Sequence, residues 1–225
     1  MRPPPNAKAS APIDQEPHSV AEQLERRIEW AERLGAHHGG AHHQEAGGSG
    51  VPHEDLIAVV GGGAIAAGQD TLTIGRVQIL AEDKGGYSII VGDATFEASA
   101  QSPEAGGAVA AANTVLTVSG ADFIIEYASS HGGRGPNDAW ASSELDFVAL
   151  DINGWSPGAG AVVTELYQPG HQFRPDGHQL TDGNYADVIA MAEAHGASSL
   201  SATLTNALTV ENQFSFVNAI AVVAV

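Results

Sequence analysis

After Pro52 the apolar and polar positions alternate with a period of two, the spacing of a β-strand whose successive side chains point to opposite faces. The last run shows it plainly: Phe214, Phe216, Asn218, Ile220 and Val222 lie on one face, and Ser215, Val217, Ala219, Ala221 and Val223 on the other. Runs of this kind, broken by Gly, Asp, Asn and Pro, predict strands over 56–60, 71–80, 87–91, 95–100, 109–118, 123–128, 145–152, 161–167, 188–194, 200–210 and 214–223. Many short strands at regular spacing imply an all-β fold, a sandwich or jelly-roll-like antiparallel domain spanning 51–225.

One segment, "NYADVIAMAEAHG", is Ala-rich, opens on Asn184 and closes on Gly196, so it also suits a helix. An internal likeness favours strand. "DATFEASA" leads to "NTVLTV" and "DFIIEY", and "DVIAMAEA" leads to "NALTV" and "QFSFVN". The first copy, with Thr95 and Phe96, has strand character, so the β domain divides into two related halves, about 93–128 and 187–220.

Ahead of this domain the period changes. Residues 1–18 form a Pro-rich arm, and "SVAEQLERRIEWAERLG" follows with Val20, Leu24, Ile28, Ala31 and Leu34 at helical spacing. Ser19 and Glu22 make a capping box and Gly35 suits the position after the last turn, so an amphipathic helix is predicted over 19–34. Residues 35–50, "GAHHGGAHHQEAGGSG", read as a flexible linker with a random-coil span of roughly 20 Å. The helix is a tethered arm whose single apolar stripe needs a partner.

Charge alters this picture. The 225-residue chain carries 27 Asp plus Glu against 9 Lys plus Arg, a formal net charge of -18, which disfavours nucleic acid and anionic membrane surfaces as partners. It has no cysteine, so disulfides, thiolate metal sites and a cysteine nucleophile are excluded. "MRPPPNAKAS" lacks an apolar segment behind its basic residues, so no cleavable N-terminal signal is expected, and no apolar run is long enough to insert in a bilayer.

Few stretches point to chemistry. "LIAVVGGGAIAAG", with Glu82 about twenty residues on, imitates a dinucleotide-binding fingerprint. Gly68 and the Thr71–Thr73–Ile74 run interrupt the helix that fingerprint requires, so a Gly-rich β-turn is the expected structure. His37, His38, His42 and His43 lie in the linker, where nothing holds them in one geometry. "HQFRPDGHQLTDGN" gathers His171, Asp176, His178 and Asp182 in one loop, a nitrogen–oxygen donor set of the type that holds a divalent metal, although the same residues commonly make turns. "DINGWSPG" matches only the beginning of a calcium loop. Trp140, Trp155, Tyr167 and Phe173 lie in or beside loops, where Trp140 and Trp155 offer a ligand platform or, as such aromatics more often do, close the end of a core.

The expectation is a non-enzymatic structural protein without a cofactor, whose partners are other copies of itself in an extracellular fibre, matrix or surface assembly. The assembly residues are expected to be Val20, Leu24, Ile28 and Leu34 of the helix with Phe214, Phe216, Val217, Ala219 and Ile220 of the C-terminal strand. That strand is uncharged on both faces, so it must be either central in its own fold or completed by another subunit, through strand addition or face packing, and the tethered helix favours the second. The alternative is a secreted β-sandwich binding a sugar, a small ligand or a metal through the loops between Trp140 and Asp182. In its acidic, Gly- and Ala-rich, cysteine-free character and uncharged apolar C-terminus the chain resembles bacterial proteins exported by one-step, type I secretion, without the nonapeptide repeats of many of them. That resemblance implies an extracellular or cell-surface location.

Overall fold

A computed structural model describes residues 55–152, 162–169 and 183–225. The expected helix over 19–34, the arm and linker flanking it, and the loop bearing His171, Asp176, His178 and Asp182 lie outside these residues, as does Trp155.

The described chain is all-β, with β1 (Ile57–Ala67), β2 (Asp70–Asp83), β3 (Tyr87–Gln101), β4 (Val109–Ser119), β5 (Phe123–Arg134), β6 (Asp138–Ile152), β7 (Val162–Pro169), β8 (Asn184–His195), β9 (Leu200–Val210) and β10 (Phe214–Ala224). Two five-stranded sheets form, β7-β4-β1-β10-β9 (sheet A) and β5-β6-β3-β2-β8 (sheet B). Pairing is antiparallel except between β2 and β8. The sheets pack face to face as a sandwich, and β2, β3, β4, β6 and β10 give alternate residues to the core. The Ala-rich segment is strand β8, because its alternate small residues from Ala186 to Ala194 pack against the core.

The core is built largely from alanine and valine, so the sheets lie close, and two phenylalanines supply its bulk. Phe96 is fully buried opposite Gly75 on the neighbouring strand, and Phe147 is buried opposite Gly92. Each ring occupies the space a side chain would take: a Cβ at Gly75 would stand 2.9 Å from Phe96 Cε1, and one at Gly92 2.6 Å from Phe147 Cε1. Phe96 also presses on sheet A, where a Cβ at Gly62 would stand 2.8 Å from the ring and would collide with the Asn113 carbonyl oxygen.

This corrects the reading of Gly61–Gly62–Gly63 as a turn. The three glycines lie inside β1, the central strand of sheet A, and at Gly61 and Gly62 the neighbouring backbones and the Phe96 ring leave no room for side chains. Two further boundaries move. The expected strands 87–91 and 95–100 are one strand, since Gly92–Asp93 stays in register with Phe147–Asp146, and β6 begins seven residues before Leu145, at Asp138.

A hydrogen bond spans the middle of the core, between the Thr114 and Ser143 hydroxyls at 2.9 Å. Both side chains are buried, so Thr114→Val is expected to cost about 1–3 kcal/mol by orphaning Ser143. The double variant Thr114→Val, Ser143→Ala should recover most of that loss in urea unfolding. A double variant no more stable than the single one would show that the pair contributes through packing rather than hydrogen bonding.

Candidate interaction surface

Charge divides between the two sheets. Every strand of sheet B carries Asp or Glu, among them Asp93 and Glu97 on β3, Glu144 and Asp146 on β6, and Asp187 and Glu193 on β8. In sheet A, strands β1, β4, β9 and β10 contain no charged side chain, and Glu165 on β7 stands at the far edge. The molecule therefore has one acidic sheet and one nearly uncharged sheet.

The two rows of β10 part as the alternation predicts. Ser215, Val217, Ala219, Ala221 and Val223 are fully buried in the chain's own core, while Phe214, Phe216, Asn218, Ile220 and Val222 are half-buried on the outer face of sheet A. Both edges of β10 are occupied, by β1 and by β9. A neighbour's strand has no edge of β10 to pair with, which corrects the expectation of strand addition at the C-terminal strand; face packing on its outer row is a separate matter. Val217 and Ala219 are likewise unavailable for contacts between molecules, and Phe214, Phe216 and Ile220 remain on the surface side.

The position without cover is one strand over. β9 has β10 on one side and, among the described residues, nothing on the other, and both its faces are exposed. Leu200, Leu204 and Leu208 are more than half exposed on the outer face, which they share with Ile65 and Val109 from β1 and β4. These residues were absent from the expected assembly set. The signal was present in "LSATLTNALTV", which alternates Leu with Ser or Thr and has no charge, but nothing local distinguishes it from the equally uncharged β10.

A polar row crosses this apolar face. The register aligns Asn113 on β4, Gly63 on β1, Asn218 on β10 and Asn206 on β9. Gly63 leaves a gap over which two amides converge, since a Cβ there would lie 3.6 Å from Asn218 Nδ2 and 3.7 Å from Asn113 Oδ1. The hairpin joining β9 to β10 is held at its turn both from within and from sheet B. Gln213 N–H donates to the Val210 carbonyl at 3.0 Å, with Asn212 in the left-handed region that its short side chain tolerates. Asn184 at the start of β8 donates from Nδ2 to the carbonyls of Val210 and Phe214, tying sheet B to the hairpin.

Elsewhere the geometry offers less. Trp140 lies near the start of β6, half-buried on the outer face of sheet B opposite Ser99 and Gly133. Tyr167 is in β7, and Phe173 falls outside the described residues. An open cleft of about 600 Å³ at one end of the sandwich is lined by Gln69, Ser102, Glu104, Asn212 and their neighbours. No group of three His, Asp or Glu able to hold a metal occurs among the described residues, and no described helix is long and apolar enough to cross a membrane. No protein-family model, curated protein or solved structure matches the chain.

Proposed function

We propose that this chain is a non-enzymatic structural subunit that assembles with copies of itself through the outer face of sheet A and the β9 strand, as part of an extracellular fibre, matrix or surface assembly. The observation that carries the reading is the partition of charge: in a chain of net charge -18, the sheet that ends in an exposed, uncharged edge strand has four strands without any charge. Large exposed apolar surfaces of this kind belong to sites of association. The extracellular setting follows from the compositional resemblance to one-step secreted proteins.

Sedimentation velocity over a concentration series, with negative-stain images of the same samples, tests the reading. Oligomers or filaments that grow with concentration are expected. Added salt should strengthen association, because it screens the repulsion of like-charged acidic sheets over about 10 Å at 0.1 M while leaving apolar contact intact. Association that weakens with salt would point to ion-paired contacts and away from sheet A. A chain that stays monomeric throughout has some other function.

A further inference from the structure

Four strands of the described chain lie at sheet edges, and three carry features that discourage pairing with another molecule. β5 has Glu126 and Arg134, β7 has Glu165 and Pro169, and β8 has Asp187 and Glu193. Charges and prolines at an edge make an incoming strand costly, and β9 has neither over eleven residues. A partner strand for β9 must be uncharged along its length and alternate in the same phase. Another copy of β9 meets both conditions by construction, and in an acidic chain it brings no charge to the seam.

We propose that β9 pairs antiparallel with β9 of a second copy about a two-fold axis through Asn206, joining the two A sheets into one continuous sheet. This rests on the self-association reading and specifies its contact. A two-fold axis normal to the sheet keeps the outer face outer in both copies, so it must pass through a residue position. Centred on Thr205, the axis would pair all of β9 but would set Asn206 against Leu204 twice. Centred on Asn206, it pairs Leu204 with the partner's Leu208, Ala202 with the partner's Val210, and Asn206 with the partner's Asn206. On the inner face Thr203 then meets the partner's Thr209, and Thr205 the partner's Ala207. Apolar residues meet apolar ones, and the Asn113–Asn218–Asn206 row continues across the seam into its symmetry copy. The β9 residues are exposed on both faces, and β8 of sheet B is the strand of the same chain that lies nearest their inner side.

The absence of native cysteine makes disulfide trapping a direct test. Directly opposed residues in an antiparallel pair have Cβ atoms about 4.5–5.5 Å apart, close to disulfide reach, whereas diagonal neighbours are about 7–8 Å apart. Under mild oxidation Asn206→Cys is expected to form a covalent dimer by itself, and Thr205→Cys is not. Leu204→Cys and Leu208→Cys should cross-link efficiently only when the two variants are mixed. Each variant is first compared with the native chain by thermal unfolding and, under reduction, by sedimentation. Native-like association with trapping at Thr205, or with no trapping along β9, overturns the pairing while leaving assembly through the face of sheet A standing. A native chain that is monomeric at every concentration overturns both.

Discussion

Phe96→Ala is expected to lower the unfolding free energy by about 3–5 kcal/mol, the upper range for a core substitution. Phe96 is fully buried, and two of its neighbours are Gly75 across the strand pair and Gly62 on the opposing sheet. Glycine has no side chain to swing into the vacated volume, and the β1 and β2 backbones are held by strands on both sides. The cavity therefore persists rather than collapsing. In urea the midpoint should fall with little change in slope, and the melting temperature should drop by roughly 6–20 °C for a domain of this size. Phe96→Leu, which refills part of the slot, should cost less. A loss under about 1 kcal/mol for the alanine variant would mean that the sheets close over the gap and that the glycines do not hold it open.

The largest effect on association is expected from Leu204→Lys combined with Leu208→Lys. Both leucines are more than half exposed on β9, so the folded monomer should tolerate lysine, with a melting temperature close to that of the native chain. Burial of the two side chains at a seam contributes about 3 kcal/mol or more, so their loss should weaken self-association about a hundredfold, before the cost of burying lysine is counted. Ile125→Lys on β5 is the control, an exposed apolar residue on the edge of sheet B. Sedimentation equilibrium on the three proteins separates the possibilities. If the β9 variant assembles normally and the β5 variant does not, the contact surface belongs to sheet B and the assignment made here is wrong.

Much of the fold was legible because a half-buried strand writes its orientation into every second residue. The alternation at 214–223 placed Val217 and Ala219 on the face opposite Phe216 and Ile220, and the buried and half-buried rows of β10 follow that division. The Ala-rich segment was ambiguous by propensity and became legible only by comparison with the run containing Phe96. The glycines of β1 were misread for a physical reason. Glycine is commonest where the chain turns, and a strand interior that needs it does so because of a ring 34 residues away in sequence, which no local window contains.

The sequence by itself determined where most of the strands lie, which rows of β10 face apart, and which strands carry no charge, since these depend largely on residues near one another in the chain. β9 and β10 are indistinguishable at that level, both uncharged and both alternating. Only the tertiary structure decided that β10 lies between β1 and β9 and that β9 ends the described sheet. Strand order follows from pairings across the whole domain, here between Ile57–Ala67 and Phe214–Ala224, and it is strand order that turns one apolar strand into core and leaves its neighbour as a surface.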